Sequence, residues 1–407
     1  MKKIVLFLIV SCNLQAQVMW QLKSDTVYKW FYKDGDEFNA TDLDNNKWQC
    51  GMPWSNFAIP QDLVFANENV SLKDGCLHLM ASNEARSFPI RANKNDSLAA
   101  IKNGKPIDNN TYKAQYTAGL ITSRARYKYG YFEIRFKSND EKGIWPAFWL
   151  YGGSPNEEID FFELKGERGD QMHLDVHCPK GCDDFRGGFL NLEKNWGGWV
   201  QLKESLANDW NIVSGEWQPG YVKFFLNGEP IAYFKGDFQT AQNLFINTSV
   251  ARNGEAFNPG PDEKTKWPNT FLVDYVRIWS KEDTIKTKAD DSYFNKTSQT
   301  IVDNKLVATK LKKKLKFIYN EENLKSEKGV LSLLPLSSNK YSVSILGKDL
   351  GIIKIEVIDQ EGTIRLMNTL INAGYTILDL NAFPTGSYKI KINIGTHTLT
   401  HIVSVIN

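Results

Sequence analysis

Cysteine and histidine are scarce in this 407-residue chain, at five each, and charge of the two signs nearly cancels, with 49 Lys and Arg against 47 Asp and Glu. A net charge of +2 argues against a partner gathered by bulk electrostatics, so neither nucleic acid nor a membrane surface is indicated. Apolar runs are also short. The longest, Ile4 to Val10, falls far below the roughly 18–20 residues that span a bilayer. His173 and His177 lie near Cys178 and Cys182, but their spacing carries no tetrahedral signature, and no metal ligand is assigned. No long stretch keeps a 3.6-residue period, which excludes a helical bundle. What the chain has instead is aromatic rings, 13% of its residues, with 12 tryptophans. That content suits both a large β-sandwich core and a surface that stacks on sugars.

Residues 1–17 read as an export signal. Lys2 and Lys3 form the basic start, Ile4 to Val10 the apolar core, and Leu14-Gln15-Ala16 the approach to a cleavage site. Ile9-Val10-Ser11-Cys12 also resembles a lipobox, which gives the alternative of a lipid anchor on Cys12. The expected location is therefore secreted, or the cell surface as an outer-membrane lipoprotein. In an oxidising compartment Cys50, Cys76, Cys178 and Cys182 permit two disulfides. Cys178 and Cys182 could close a tight loop, which leaves Cys50 with Cys76 by subtraction.

From about residue 30 to 280 the pattern is short alternating or apolar runs broken by Gly, Asn, Asp and Pro, as in Tyr131 to Lys137 and Leu174 to His177. Tyr221 to Leu226 turns at Asn227-Gly228, the strongest hairpin signal in the chain. The expectation is an all-β protein, with one large β-sandwich over residues 18–282. Residues 283–338 turn polar, with Leu311-Lys312-Lys313-Lys314-Leu315-Lys316 at their centre, and read as a solvated linker. Strand alternation returns over 339–407, in Tyr341 to Leu346, Ile352 to Asp359, Thr376 to Leu380 and Tyr388 to Ile394, which predicts a small C-terminal β-sandwich.

The chemistry is concentrated in Glu158-Ile159-Asp160-Phe161-Phe162-Glu163. In a strand Glu158 and Asp160 share a face, while Glu163, an odd step away, would point to the other. A β-bulge at the two phenylalanines adds one residue and brings all three acids to one face. Such a face is usually solvated surface. Here Ile144-Trp145-Pro146-Ala147-Phe148-Trp149-Leu150 lies just upstream and sets two large rings beside it. Acids beside aromatic platforms suit the cleavage of a polysaccharide, which needs one carboxylate ionised and one carboxyl protonated.

These residues resemble the active-site strand of glycoside hydrolase family 16 in its bulged ExDxxE form. Tyr129 to Lys137 resembles the strand before the family's WPAFW element, Asp74-Gly75-Cys76-Leu77-His78-Leu79 its early DGxLxL strand, and Phe271 to Trp279 its closing strand. The resemblance covers roughly residues 36–280. It implies a jelly-roll catalytic domain with a concave cleft and an endo-acting, retaining hydrolase of β-glycans. Glu158 would be the nucleophile, Glu163 the acid/base, and Asp160 the group that orients Glu158 between them. Trp145 and Trp149 would be sugar platforms and His177 a cleft residue, with Arg124, Trp196, Trp199 and Trp267 as further loop candidates. His173 reads as a hydrogen-bonded neighbour, and Glu157 points to the opposite face.

Family members cleave β-1,3-glucans, mixed-linkage glucans, agar, porphyran and carrageenan. The bulged motif is similar to the laminarinase and marine galactanase branches, so the substrate is expected to be a β-1,3-glucan or a marine β-galactan. The alternatives are a transglycosylase using the same residues and a non-catalytic lectin on the same sandwich. The resemblance requires no cofactor, leaves room for a structural calcium ion, and implies a monomer. Leu378-Asp379-Leu380, followed by Gly386-Ser387-Tyr388, resembles the core of type IX secretion sorting domains, which makes that machinery the expected partner of the C-terminal part. A small carbohydrate-binding module is the alternative there, with few aromatics to serve it.

Overall fold

The computed structural model describes residues 17–58, 62–89, 107–108, 111–152, 157–178, 186–187, 194–202, 204–207, 209–238, 240–254, 257–281, 311–313 and 324–406. Nearly all regular structure in them is β, with short 3-10 turns at Asn67–Asn69 and Gly166–Arg168. Two sheets face each other over residues 27–281. The cleft sheet runs in the spatial order Lys194–Leu202, Gln171–His177, Glu158–Glu163, Ala147–Tyr151, Gln242–Asn247, Leu120–Tyr127, Trp48–Cys50. The outer sheet places Glu229–Lys235, Tyr221–Leu226, Trp210–Gln218, Gly130–Lys137, Asn269–Lys281 and Val27–Asp36 side by side. Asn227 and Gly228 turn the hairpin with positive φ, 50° and 79°, the geometry a tight hairpin turn demands.

The inner faces meet through aromatic rings. Phe136 lies 4.6 Å from Phe162, and Phe132 stacks on Phe161 at 5.5 Å, all four fully buried. Each buried ring contributes about 1.5–3 kcal/mol from removed apolar surface. The two phenylalanines of the Glu158–Glu163 strand are thus anchors of the core, and both point inward because of a bulge at this point. Pairing with Gln171–His177 runs Asp160 to Asp175 and then Glu163 to His173, so three steps on one strand match two on the other. Pairing with Ala147–Tyr151 shows the same slip, from Asp160 opposite Trp149 to Phe162 opposite Phe148. Gly215 makes room for the extra ring, since a Cβ there would sit 2.0 Å from Phe161 Cε1.

A second sandwich is formed at the end of the chain, but it is not separate. Val18–Lys23 pairs with Val27–Asp36 on one edge and with Glu327–Ser337 on the other, so the outer sheet continues through Lys340–Gly347 and Gly374–Asp379. Ile364–Ile371, Ile352–Ile358, Gly386–Ile394 and His397–Val405 form the facing sheet. Val18, Trp20 and Leu22 belong to its core, beside Leu331, Val343 and Ile355. The range expected as linker, 283–338, therefore holds a sandwich strand at Glu327–Ser337, while residues 282–310 and 314–323 lie outside the described residues. Met19, Trp30, Tyr131 and Phe225 pack against Val330, Leu334 and Leu346 between the two bodies. Gln21 donates to both Glu216 (2.8 Å) and Glu327 (3.1 Å), and Lys223 pairs with Glu327 at 2.7 Å.

The subtraction that paired Cys50 with Cys76 is corrected: both are free thiols. Cys50 sits in the cleft sheet against Ile121, whereas Cys76 opens a strand joined to the outer sheet, and the sandwich core lies between those sheets. Cys178 is disulfide-bonded, and Cys182 lies outside the described residues. The export signal and Cys12 lie outside them too. No helix among the described residues is long and apolar enough to cross a membrane.

Candidate active site

The bulge turns Glu158, Asp160 and Glu163 to the open face of the cleft sheet and sends Ile159, Phe161 and Phe162 into the core. Glu157 points away and is buried, accepting hydrogen bonds from the Thr240 backbone N–H (2.8 Å) and hydroxyl (2.7 Å). The neighbouring strand adds His173, Asp175 and His177 to the open face at every second residue.

Two different environments result. At the Glu158 end, single ligand atoms of Glu158, Asp160 and His177 all lie within 4.8 Å of one another. His177 Nε2 is 3.4 Å from Asp160 Oδ2 and 3.8 Å from Asp175 Oδ2. Burial, and after it the Asp160 charge, push Glu158 well above the usual carboxylate range, against the pull of His177. Burial also lifts Asp160, to about 7, with the His177 hydrogen bond opposing it. Burial alone would lower His177, but its hydrogen bond to Asp160 and the charges of Asp160, Glu158 and Asp175 raise it to about 11. The Glu158–Asp160 pair thus shares a proton into the neutral range beside an imidazolium.

At the Glu163 end the neighbours are aromatic. Trp145 Nε1 donates to Glu163 Oε1 at 3.2 Å, and His173 Nδ1 lies 3.2 Å from Glu163 Oε2. Phe257 stacks on Trp145 at 4.3 Å with an interplanar angle of 11°, and Trp199 and Phe257 stand 5.0 and 5.6 Å from the His173 ring. Arg168 lies over Trp199 at 5.6 Å.

Of the residues singled out from the sequence, Trp145, His177 and the three acids come together. One face of Trp145 is covered by Phe257, and its N–H is spent on Glu163. Trp149 stacks on Phe245 at 4.3 Å and donates to Asn247 at 2.8 Å, on the same sheet face. Trp267 stacks on Tyr116 and borders the same apolar cluster as Trp149 and Tyr151. Arg124 is not brought to the acids; it donates Nε to the Asn45 carbonyl at 2.5 Å. Trp196 is wholly buried against Phe224 in the core.

Sequence reasoning missed Phe257, Tyr151 and Trp54. Tyr151 stands opposite Glu158 in the register, and Trp54, 46% exposed, lies 5.1 Å from it. Tyr151 was legible as the next outward position after Trp149. Phe257 and Trp54 sit in irregular segments, where no period marks the direction of a side chain.

Comparison with known proteins agrees with this geometry. The chain is 26% identical to a glucan endo-1,3-β-glucosidase A1 of Niallia circulans over 288 residues, 61% of this chain and 37% of that relative. It is 30% identical to a κ-carrageenase of Pseudoalteromonas carrageenovora over 273 residues, 61% of this chain and 64% of that relative. The catalytic domain of an endo-1,3-β-glucanase (laminarinase) from Thermotoga petrophila RKU-1 superposes with a TM-score of 0.50 at 23% identity, covering 63% of this chain and 100% of that one, and shows the same fold. Residues 31–281, more than half of the chain, match the family model described as β-porphyranase A–D, GH16 domain. The chain therefore belongs to the porphyranase type of glycoside hydrolase family 16, and that domain is a jelly-roll glycoside hydrolase.

Proposed function

We propose that this protein is an exported, endo-acting hydrolase of a marine β-galactan of the porphyran type, working with retention of anomeric configuration. The observation that carries the reading is the bulged strand, which puts Glu158, Asp160 and Glu163 on one open face and gives the two outer acids different neighbours. The porphyranase-type match over residues 31–281 supports a galactan over a glucan.

Glu158 attacks the anomeric carbon while Glu163 gives its proton to the leaving oxygen, and a glycosyl ester forms on Glu158. Water then attacks that carbon and passes a proton to Glu163, and Glu158 leaves as a carboxylate. Before the first step Glu158 must be ionised. His177, 3.4 Å from Asp160, favours the ionised form of both acids, so the pair gives up its proton and Glu158 is freed to attack.

The C-terminal sandwich, in this proposal, is a type IX sorting domain, supported by the Leu378 to Tyr388 segment. The test is reducing-end release from porphyran, agarose, κ-carrageenan and laminarin, with product masses followed over time. Early oligosaccharides from porphyran support the proposal. Release from laminarin alone would replace the galactan with a β-1,3-glucan, and folded protein inert on all four would turn the reading toward a lectin.

A further inference from the structure

The bulge has one consequence that the strand pattern of the motif does not reveal: it places His173 directly across from Glu163. In a regular register of the same sequence Glu163 would fall opposite Met172 and face the core, and Phe162 would stand opposite His173. We propose that His173 is a positioning residue for the acid/base Glu163, acting with Trp145 as a two-sided clamp on its carboxyl group. The inference rests on the hydrolase mechanism above.

The clamp is asymmetric. Trp145 Nε1 carries a hydrogen and can only donate, so Glu163 Oε1, 3.2 Å away, is held as an acceptor. His173 Nδ1, 3.2 Å from Oε2, can take either role. When Glu163 is protonated, the imidazole accepts at Nδ1; when Glu163 is a carboxylate, Nδ1–H donates. Oε2 is therefore the oxygen that carries the acid proton, and its O–H turns from Nδ1 to the leaving oxygen as the glycosidic bond breaks. His173 keeps that oxygen in place in both states, and a fixed donor such as a second tryptophan would fit only one.

The histidine ring is itself held. Trp199 lies 5.0 Å from it at 59°, and Phe257 meets it edge-on at 5.6 Å and 87°. These rings limit its rotation and its contact with water, and its side chain is only 17% exposed. Among the described residues, the titratable groups that face it are Glu163 on the catalytic strand and Asp175 and His177 on its own strand, and the neighbouring strand and the loop above it present Trp199 and Phe257. Burial lowers the affinity of His173 for a proton, but the Glu163 hydrogen bond and charge outweigh it, and the net shift is upward.

Two measurements test the proposal. In the first, His173→Gln and His173→Phe are assayed on the polymer that the wild-type enzyme cleaves and on the 2,4-dinitrophenyl glycoside of the disaccharide it releases. Dinitrophenolate leaves without a proton. The expected result is a kcat on polymer reduced about 10–100-fold with KM within about threefold, a burst of dinitrophenolate close to wild type, and a milder loss for Gln than for Phe. Equal loss on both substrates would mean a structural role only, and no loss on either would remove the clamp.

The second measurement needs no substrate. The NMR titration of His173 is compared between wild type and Glu163→Gln, and its midpoint is expected to fall in the variant. An unchanged midpoint overturns the pairing whatever the enzyme cleaves, whereas failure of the polysaccharide panel leaves this readout intact.

Discussion

The two ends of the catalytic strand carry the same residue, glutamate, five positions apart, and the fold surrounds them with unlike neighbours. Glu158 sits among Asp160, His177 and Asp175, where protons are shared between charged groups. Glu163 sits among Trp145, His173, Trp199 and Phe257, where its two oxygens are held and water has little access. The difference teaches how one side-chain type acquires two roles. In the proposed mechanism the Glu158 end supplies the group that attacks and the Glu163 end the group that serves the leaving oxygen.

That contrast can be broken at either end, and the effects should differ in size and kind. Glu158→Gln is expected to lower turnover by about 10⁴-fold or more on every substrate, because the covalent step is lost. Circular dichroism and glycan binding should remain, and near wild-type turnover would contradict the assignment. Glu163→Gln should cost about 10²–10⁴-fold on polymer and far less in the first step on a dinitrophenyl glycoside. A uniform loss on both would erase the distinction between the two ends.

Smaller changes sharpen the comparison through pH. The nucleophile must be ionised, so kcat/KM should rise with pH as the Glu158–Asp160 pair releases its proton, with a limb above the ordinary carboxylate range. Asp160→Asn removes the charge that raises Glu158, and the limb should move to lower pH with about 10–100-fold loss of rate. His177→Gln removes the cation that opposes those shifts, and the limb should move to higher pH. Limbs that move in the same direction in both variants would refute the proton-sharing cluster. The structural support is testable as well. Gly215→Ala drives a Cβ into Phe161 and should cost about 1–3 kcal/mol in chemical denaturation while lowering activity through the displaced bulge.

Much of this was legible in the chain. Adjacent Phe161 and Phe162 between acids announced the bulge, because two large apolar residues cannot both face the core of a regular strand while their flanking acids stay outside. The hairpin at Asn227-Gly228 and the two β-sandwiches were legible from turn chemistry and alternation. Pairing between distant strands was not. The union of Val18–Lys23 with Glu327–Ser337 depends on contacts some 300 positions apart, and nothing local in Val18-Met19-Trp20 marks which core it fills. The same limit explains the cysteines: Cys50 and Cys76 are near in sequence but lie in opposed sheets. It also explains His173, whose partner is fixed only once the bulge and the register are both known.

The central claim, that one end of the strand attacks and the other delivers a proton, is tested most directly by trapping the intermediate. Glu163→Ala is incubated with the dinitrophenyl glycoside and digested with pepsin, and the peptides are weighed by mass spectrometry. The account predicts a glycosyl adduct that accumulates on the peptide containing Glu158 and is released by azide as a β-glycosyl azide. An adduct on another residue, or an azide product of inverted configuration, would contradict it.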